Sequence, residues 1–373
     1  MPDNRVTIAA TGGFYPAEQA DTLAVLLHAF DQAPTSLQRV AEAVREEFPR
    51  SDIYAPRLPF QPWSCADPEA VAEGIVRYLS ALPRIGEYGR IVFVGHSFGA
   101  VMARKVWALA HGATPAAAVD SARAQPWAAK IERIVLLAAM NRGWTVSSAL
   151  KPLDRLAFAF ASGIGHFMRH VLGCEPTIFG IRRGAAFLST MRLQSLAVAN
   201  ALGERNPIVV QLLGTDDDQV APADNLDLAA GRNFHYIEIA EATHRGIVEL
   251  QDEGPQGALA RFRLALRGER AVLAEAALKL SDLHDIYDES PDDYDAVGEP
   301  LQDDAVKRVV FVIHGIRDRG FWTRRIAREV KRQSRLRDMP CRAVTSTYGF
   351  FRWGRFFYRG RAGPRPNGCW TSM

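Results

Sequence analysis

The chain has 373 residues, 48% of them hydrophobic, which suffices for one large domain with a sizeable core and a further segment. Its formal net charge of +3 conceals an asymmetry: residues 306–373 carry 17 Lys and Arg against 3 Asp and Glu, about +14, leaving about −11 on the remainder. No apolar run is long enough to span a bilayer, and no P-loop, dinucleotide fingerprint, EF-hand loop or H-E-x-x-H occurs, so those classes are not expected. Met1–Arg5 leads into no long apolar stretch, so no signal peptide is expected. Cys65, Cys174, Cys341 and Cys369 are scattered without a C-x-x-C pair, which predicts free thiols in a reducing cytoplasm.

Residues 21–140 alternate between strand and helix. Strands are expected at 23–27, 52–55, 91–95 and 132–138, and helices at 35–48, 68–82 and 98–111. Such alternation predicts a parallel sheet covered by helices on both faces. Within it stands Gly95-His96-Ser97-Phe98-Gly99, preceded by the apolar run Ile91–Val94. It is followed by helix formers to Ala110, with Val101, Lys105 and Leu109 four apart. Strand, G-x-S-x-G and helix together describe a nucleophile elbow. The turn is too tight for side chains at 95 and 99, and Ser97 at its apex takes a strained conformation. A bare G-x-S-x-G would mean only a turn; the flanking strand and helix favour a catalytic serine.

Residues 141–205 break the alternation with apolar sequence such as Leu156–Ala161, interrupted at Gly163 and Gly165. His166, His170 and Cys174 fall four apart, but Gly173 and the missing carboxylate argue against a metal site, and they read as one polar edge of a helix. A buried strand follows at Pro207–Leu213, then the polar turn Gly214–Val220, a strand at Phe234–Ile239 and a loop with Thr243 and His244. A serine nucleophile needs a base, and the base an orienting acid. Asp216, Asp217 and Asp218 precede His244 in the chain, so both partners are available after Ser97. Three adjacent aspartates equally suit a solvated turn, one of them capping a helix from near Ala223. His235 lies inside a strand and reads as a packed or surface residue. A closing helix is expected over 255–280, then an acidic linker over 281–305.

In this order of motifs the chain resembles the α/β-hydrolase superfamily over roughly residues 20–280. The resemblance implies an α/β fold, a mostly parallel sheet with helices on both faces, and a helical lid at about 141–205. The family's acid stands three residues beyond the glycine ending its strand, which is Asp217 here, with Asp218 as the alternative. Its histidine follows the last strand, which is His244. Its oxyanion donors would be the amide of Phe98 and, where His28-Ala29-Phe30 occupies the place of His-Gly-x, the amide of Phe30. Alanine in place of that glycine is a departure. Arg183–Leu188 also resembles a stretch that follows the lid in some lipases.

The expectation is a cytoplasmic serine hydrolase of the esterase or lipase kind. It would cleave an ester or thioester with an apolar acyl group through an acyl-enzyme on Ser97, with no metal or organic cofactor. An acyltransferase or thioesterase would use the same triad, and a non-catalytic interaction protein of the same fold is the rival from another class.

Val309–Asp318 again resembles a hydrolase strand and oxyanion loop, now with His314-Gly315, and a helix is expected over Trp322–Gln333. No second G-x-S-x-G, acid or histidine follows, so 306–373 reads as an incomplete second hydrolase-like segment. Gly363–Met373 lacks periodicity, and residues 367–373 read in a neighbouring frame give a more helix-like string. The tail is therefore expected to stem from a frameshift in a longer chain. Arginines interleaved with Phe350, Phe351, Trp353, Phe356, Phe357 and Tyr358 would suit a nucleic-acid or anionic-lipid patch, but a truncated domain whose acidic partner surface is missing is the preferred reading. Peripheral membrane or anionic-surface contact through the lid or this segment is the partner option beyond a small-molecule substrate. Nucleic acid is not expected.

Overall fold

A computed structural model describes residues 6–61, 64–143, 177–217, 219–220, 225, 227, 233–251, 254, 257–278, 308–312, 326, 330, 333, 337 and 341–345. The chain forms two compact units, residues 1–290 and 291–373. The expected acidic linker, the stretch 144–176 of the expected lid with its His166, His170 and Cys174, and the tail from 346 onward lie outside the described residues.

The first unit is built on seven strands: Gly12–Tyr15 (β1), Thr22–Leu27 (β2), Ser51–Pro56 (β3), Arg90–His96 (β4), Ile131–Leu137 (β5), Ile208–Gly214 (β6) and Phe234–Ile239 (β7). Their order across the sheet is β1-β3-β2-β4-β5-β6-β7, parallel throughout except for β1, which runs antiparallel to β3. Strands buried on both faces need apolar residues at every position rather than every second one. Leu23, Val25 and Leu27 accordingly enter one core layer with Ile91 and Phe93, while Ala24 and Leu26 enter the other with Val92 and Val94. This is why the strands read in the sequence as unbroken apolar runs.

The helices supply the outer layers. Gln38–Glu47 (α1) buries Val40, Ala41 and Val44 at helical spacing after a 3₁₀ turn at Pro34–Leu37. Pro68–Ser80 (α2) starts with Asp67 accepting the Glu69 backbone N–H at 3.0 Å and Pro68 at the first position, then buries Ala72, Ile75 and Leu79. Phe98–Ala110 (α3) is buried almost throughout. Its Lys105 is fully enclosed, with Nζ 2.6 Å from Glu69 Oε2 on α2 and 2.5 Å from Gln194 Oε1. Gln194 belongs to Ala186–Leu202 (α4), which packs along α3. The last part of the stretch expected to be a lid is thus a helix seated on α3.

Three features depart from the sequence reading. β1 was not anticipated, because two glycines and two aromatics carry no alternation. The closing helix over 255–280 is two helices, Ala258–Arg267 (α5) and Arg270–Ala276 (α6). The chain leaves α5 at Gly268, whose N–H donates to Leu264 O at 2.7 Å and whose carbonyl accepts from Arg133 on β5 at 3.0 Å. Cys65 is disulfide-bonded, which corrects the reading of four free thiols and removes that ground for a reducing cytoplasm. The spacing of cysteines along a chain does not report which ones the fold brings together. In the second unit Arg308–Val312 (β8) pairs in parallel with Cys341–Thr345 (β9), as β2 does with β3. No helix among the described residues is long and apolar enough to cross a membrane.

A buried polar network crosses the end of the sheet. Arg104 on α3 donates to Asn141 Oδ1 at 2.9 Å and to Asp227 Oδ2 at 3.1 Å, and Arg192 on α4 grips both Asp227 oxygens at 3.1 and 2.9 Å. Asn141 continues the chain of bonds to Gln211 Oε1 on β6 at 2.5 Å and to the Asn225 carbonyl at 2.7 Å. Burial alone would raise the Asp227 carboxyl, but the Arg104 and Arg192 guanidiniums outweigh it and hold it below the usual carboxylate range. A depressed carboxyl contributes stability above its unfolded value, near pH 4, and loses that contribution as pH falls through the folded value. Asp227→Asn is expected to cost about 3–5 kcal/mol at pH 7, since it strands Arg104 without its counter-charge. Urea unfolding of both proteins at pH 7 and below pH 4 checks this, with the deficit shrinking at the lower pH.

Candidate active site

β4 ends in Gly95-His96, Ser97 follows as the single linking residue, and α3 begins at once with Phe98. Ser97 takes φ 53° and ψ −117°, a conformation that L residues avoid, and its N–H donates to the Leu137 carbonyl at the end of β5 at 2.8 Å. The geometry forces glycine on either side. A Cβ on Gly95 would lie 2.5 Å from Ala100 Cα, and one on Gly99 would lie 2.1 Å from the Leu27 carbonyl oxygen. The elbow is thus wedged against the end of β2.

β6 ends at Gly214, and the turn after it carries Asp216 and Asp217. Two main-chain bonds and one to a side chain fasten this turn to the end of β7 and the loop that follows it: Thr215 N–H to Ile239 O at 3.1 Å, Asp216 N–H to Ala242 O at 3.2 Å, and Glu241 N–H to the Thr215 hydroxyl Oγ1 at 2.8 Å. His244 sits in that second loop. Its Nδ1 lies 2.9 Å from Asp217 Oδ2 and 3.1 Å from Oδ1, with both side chains buried. A carboxylate only accepts, so Nδ1 carries the hydrogen and, in the neutral ring, Nε2 keeps its lone pair. Asp217 Oδ1 also accepts the N–H groups of Gln219 and Val220 at 3.0 and 2.9 Å. The same carboxylate thus accepts from the turn's backbone and from the His244 ring. Asp218 lies outside the described residues.

His96 completes the arrangement. Its Nε2 is 2.8 Å from the His244 carbonyl oxygen, which makes Nε2 the donor, and the two rings lie 5.1 Å apart. Burial first, and then the neighbouring His244, push the His96 imidazole down to about 3, so it is neutral at physiological pH. As the variable position of G-x-S-x-G, it carries no signal in the sequence that would single it out.

On the other side of Ser97 lies the loop after β2. His28 is buried and bridges two main-chain groups: Nε2 accepts the Leu58 N–H at 2.8 Å, and Nδ1–H donates to the Ala29 carbonyl at 2.8 Å. Burial lowers the His28 pKa, in keeping with a neutral ring. A peptide group is planar and trans, so fixing the Ala29 C=O fixes the Phe30 N–H in the opposite direction. Neither the Phe30 nor the Phe98 amide donates to a backbone or side-chain acceptor among the described residues. His235 lies on β7, half-buried, and takes no part in this cluster. No group of three His, Cys, Asp or Glu side chains suited to a metal ion occurs among the described residues.

The sequence matches the model of an alpha/beta hydrolase family over residues 24–262. No curated protein matches it significantly. Solved structures of related shape include the monoacylglycerol lipase of Paleococcus ferrophilus, at 13% identity over 71% of this chain and 97% of that one, with a TM-score of 0.41. Another is a soluble variant of the monoglyceride lipase of Saccharomyces cerevisiae, at 11% identity over 74% and 97%, with a TM-score of 0.43. A thermophilic esterase from Thermogutta terrifontis matches at 18% identity over 73% and 98%, with a TM-score of 0.37.

The contact at Gly99 is backbone against backbone and has no flexible side chain to give way. Gly99→Ala is expected to yield little folded protein, or a fold with the elbow displaced. Circular dichroism and thermal unfolding beside a surface control such as Leu193→Ala check this.

Proposed function

The chain belongs to the α/β-hydrolase family, and on that premise we propose that it is a serine hydrolase of carboxylic esters or thioesters. The observation that carries the reading is the buried His244–Asp217 pair at 2.9 Å, tied through His96 to the strained turn that presents Ser97. Ser97 Oγ attacks the acyl carbon while His244 Nε2 takes its proton. Asp217 keeps Nδ1 protonated and stabilises the imidazolium. The tetrahedral intermediate places its oxyanion against the amides of Phe98 and Phe30, each pre-aimed, by the elbow and by His28 respectively. On collapse the C–O or C–S bond breaks and His244 returns the proton to the leaving group. Water, deprotonated by the same base, then releases the acid from the Ser97 ester.

An apolar acyl group is part of the proposal; Phe98, which packs edge-on against Phe60 at 4.9 Å and against Phe187 on α4 at 6.1 Å, makes the core behind Ser97 apolar. Asp217 is the acid in this reading because it meets the imidazole, and Asp218 is the alternative if Asp217→Asn keeps full activity.

Hydrolysis of p-nitrophenyl esters from short to long acyl chains tests the proposal. Ser97→Ala is expected to lose at least about three orders of magnitude in kcat with KM little changed, and Asp217→Asn about 10²–10⁴-fold. Wild-type protein that is folded yet neither turns over any ester nor is labelled at Ser97 by a fluorophosphonate would overturn the reading.

A further inference from the structure

We propose that His96 is a positioning residue for the reaction, whose Nε2–H holds the main chain of His244 at the elbow and so sets the distance between base and nucleophile. The inference rests on the functional reading above and adds a component to it. His96 immediately precedes Ser97, yet its side chain bonds the backbone carbonyl of a residue 148 positions further along the chain, at 2.8 Å and in a fully buried setting. Asp217 controls the rotation of the His244 ring, but a hydrogen bond to Nδ1 does not fix where the Cα of that residue sits. The bond from His96 does, and it ties that Cα to the same three-residue turn that carries the nucleophile.

The rest of the ring argues for this role over simple filling of space. Nδ1 of His96 is buried and has no hydrogen-bond partner among the described residues. An orphaned buried acceptor is destabilising, and an apolar ring of similar size would avoid that cost. The position thus sacrifices stability for the single bond that Nε2–H makes. The groups facing the ring from the packed elements are His244, Asp217 and Arg245. The imidazole, pushed down to about 3, remains neutral across the working pH range, so its part is to hold and not to transfer a proton.

His96→Phe keeps the ring volume and removes the donor, while His96→Gln removes the ring and offers an N–H at nearly the Nε2 position. A misplacement of about 1 Å at a reacting centre can cost 10²-fold in rate. The Phe variant, folded as judged by thermal unfolding, is expected to lose about 10–100-fold in kcat on p-nitrophenyl butyrate with KM changed less than about threefold. Its rate of fluorophosphonate labelling is expected to fall in parallel. The Gln variant is expected to recover to within about fivefold of wild type and to keep the wild-type pH profile above pH 4, because His96 has no proton to lose there. A Phe variant as fast as wild type, or a Gln variant slower than Phe, would show that the ring only packs and would overturn the inference. Failure of wild type itself to be labelled would instead overturn the serine hydrolase reading, so the two failures are distinguishable.

Discussion

The first turn of α3 lies so close to the end of β2 that no side chain fits between them, and the site is arranged around that contact. With glycine at 99 the helix approaches within van der Waals reach of the Leu27 and His28 carbonyls. Two segments that would otherwise be separate, the elbow after β4 and the turn after β2, are thereby brought side by side. The strained Ser97 backbone is the counterpart of this approach. A positive φ at a serine costs on the order of 1–3 kcal/mol and persists only where surrounding structure over-determines it. Here the surroundings are a helix buried almost throughout behind and two parallel strands beneath.

The second pair of loops obeys different rules. The turn after β6 and the loop after β7 are joined by main-chain bonds and by the Asp217 carboxylate, which meets two backbone N–H groups as well as the His244 ring. A carboxylate with that many donors is held in one rotamer, and the ring it grips inherits the order. Support for the imidazole thus comes from two directions: side chain to side chain from Asp217, and side chain to main chain from His96.

Much of this was legible in the sequence because it follows from local demands. The doubly buried strands had to be continuous apolar runs and the elbow had to carry glycines at 95 and 99; Asp217 and His244 were singled out by the family resemblance, and the fold brings their side chains within 2.9 Å. What escaped reading depends on partners distant in sequence. Gly12–Tyr15 becomes a strand only because β3 offers an edge. The break at Gly268 is stabilised by an arginine from β5 that no window around 268 contains. Arg104, Asn141, Gln211 and Asp227 look like ordinary polar residues until the fold draws them into one dry network. Cys65 reads as a lone thiol for the same reason. The seating of Ala186–Leu202 on α3 through the buried Gln194–Lys105 bond is invisible in the sequence for the same reason.

The peptide between Ala29 and Phe30 has a further consequence. Its carbonyl receives two hydrogen bonds, from His28 Nδ1 at 2.8 Å and from the Gln32 N–H at 3.3 Å. Turning that peptide over would break both, at a net cost of about 2 kcal/mol, which leaves the flipped form at a few per cent of the population. Glycine at position 29 would ease such a flip, and alanine adds resistance to it. The Phe30 N–H therefore keeps one direction in nearly every molecule, and the course of the main chain after β2 is set by the His28 side chain rather than by whatever lies beside it.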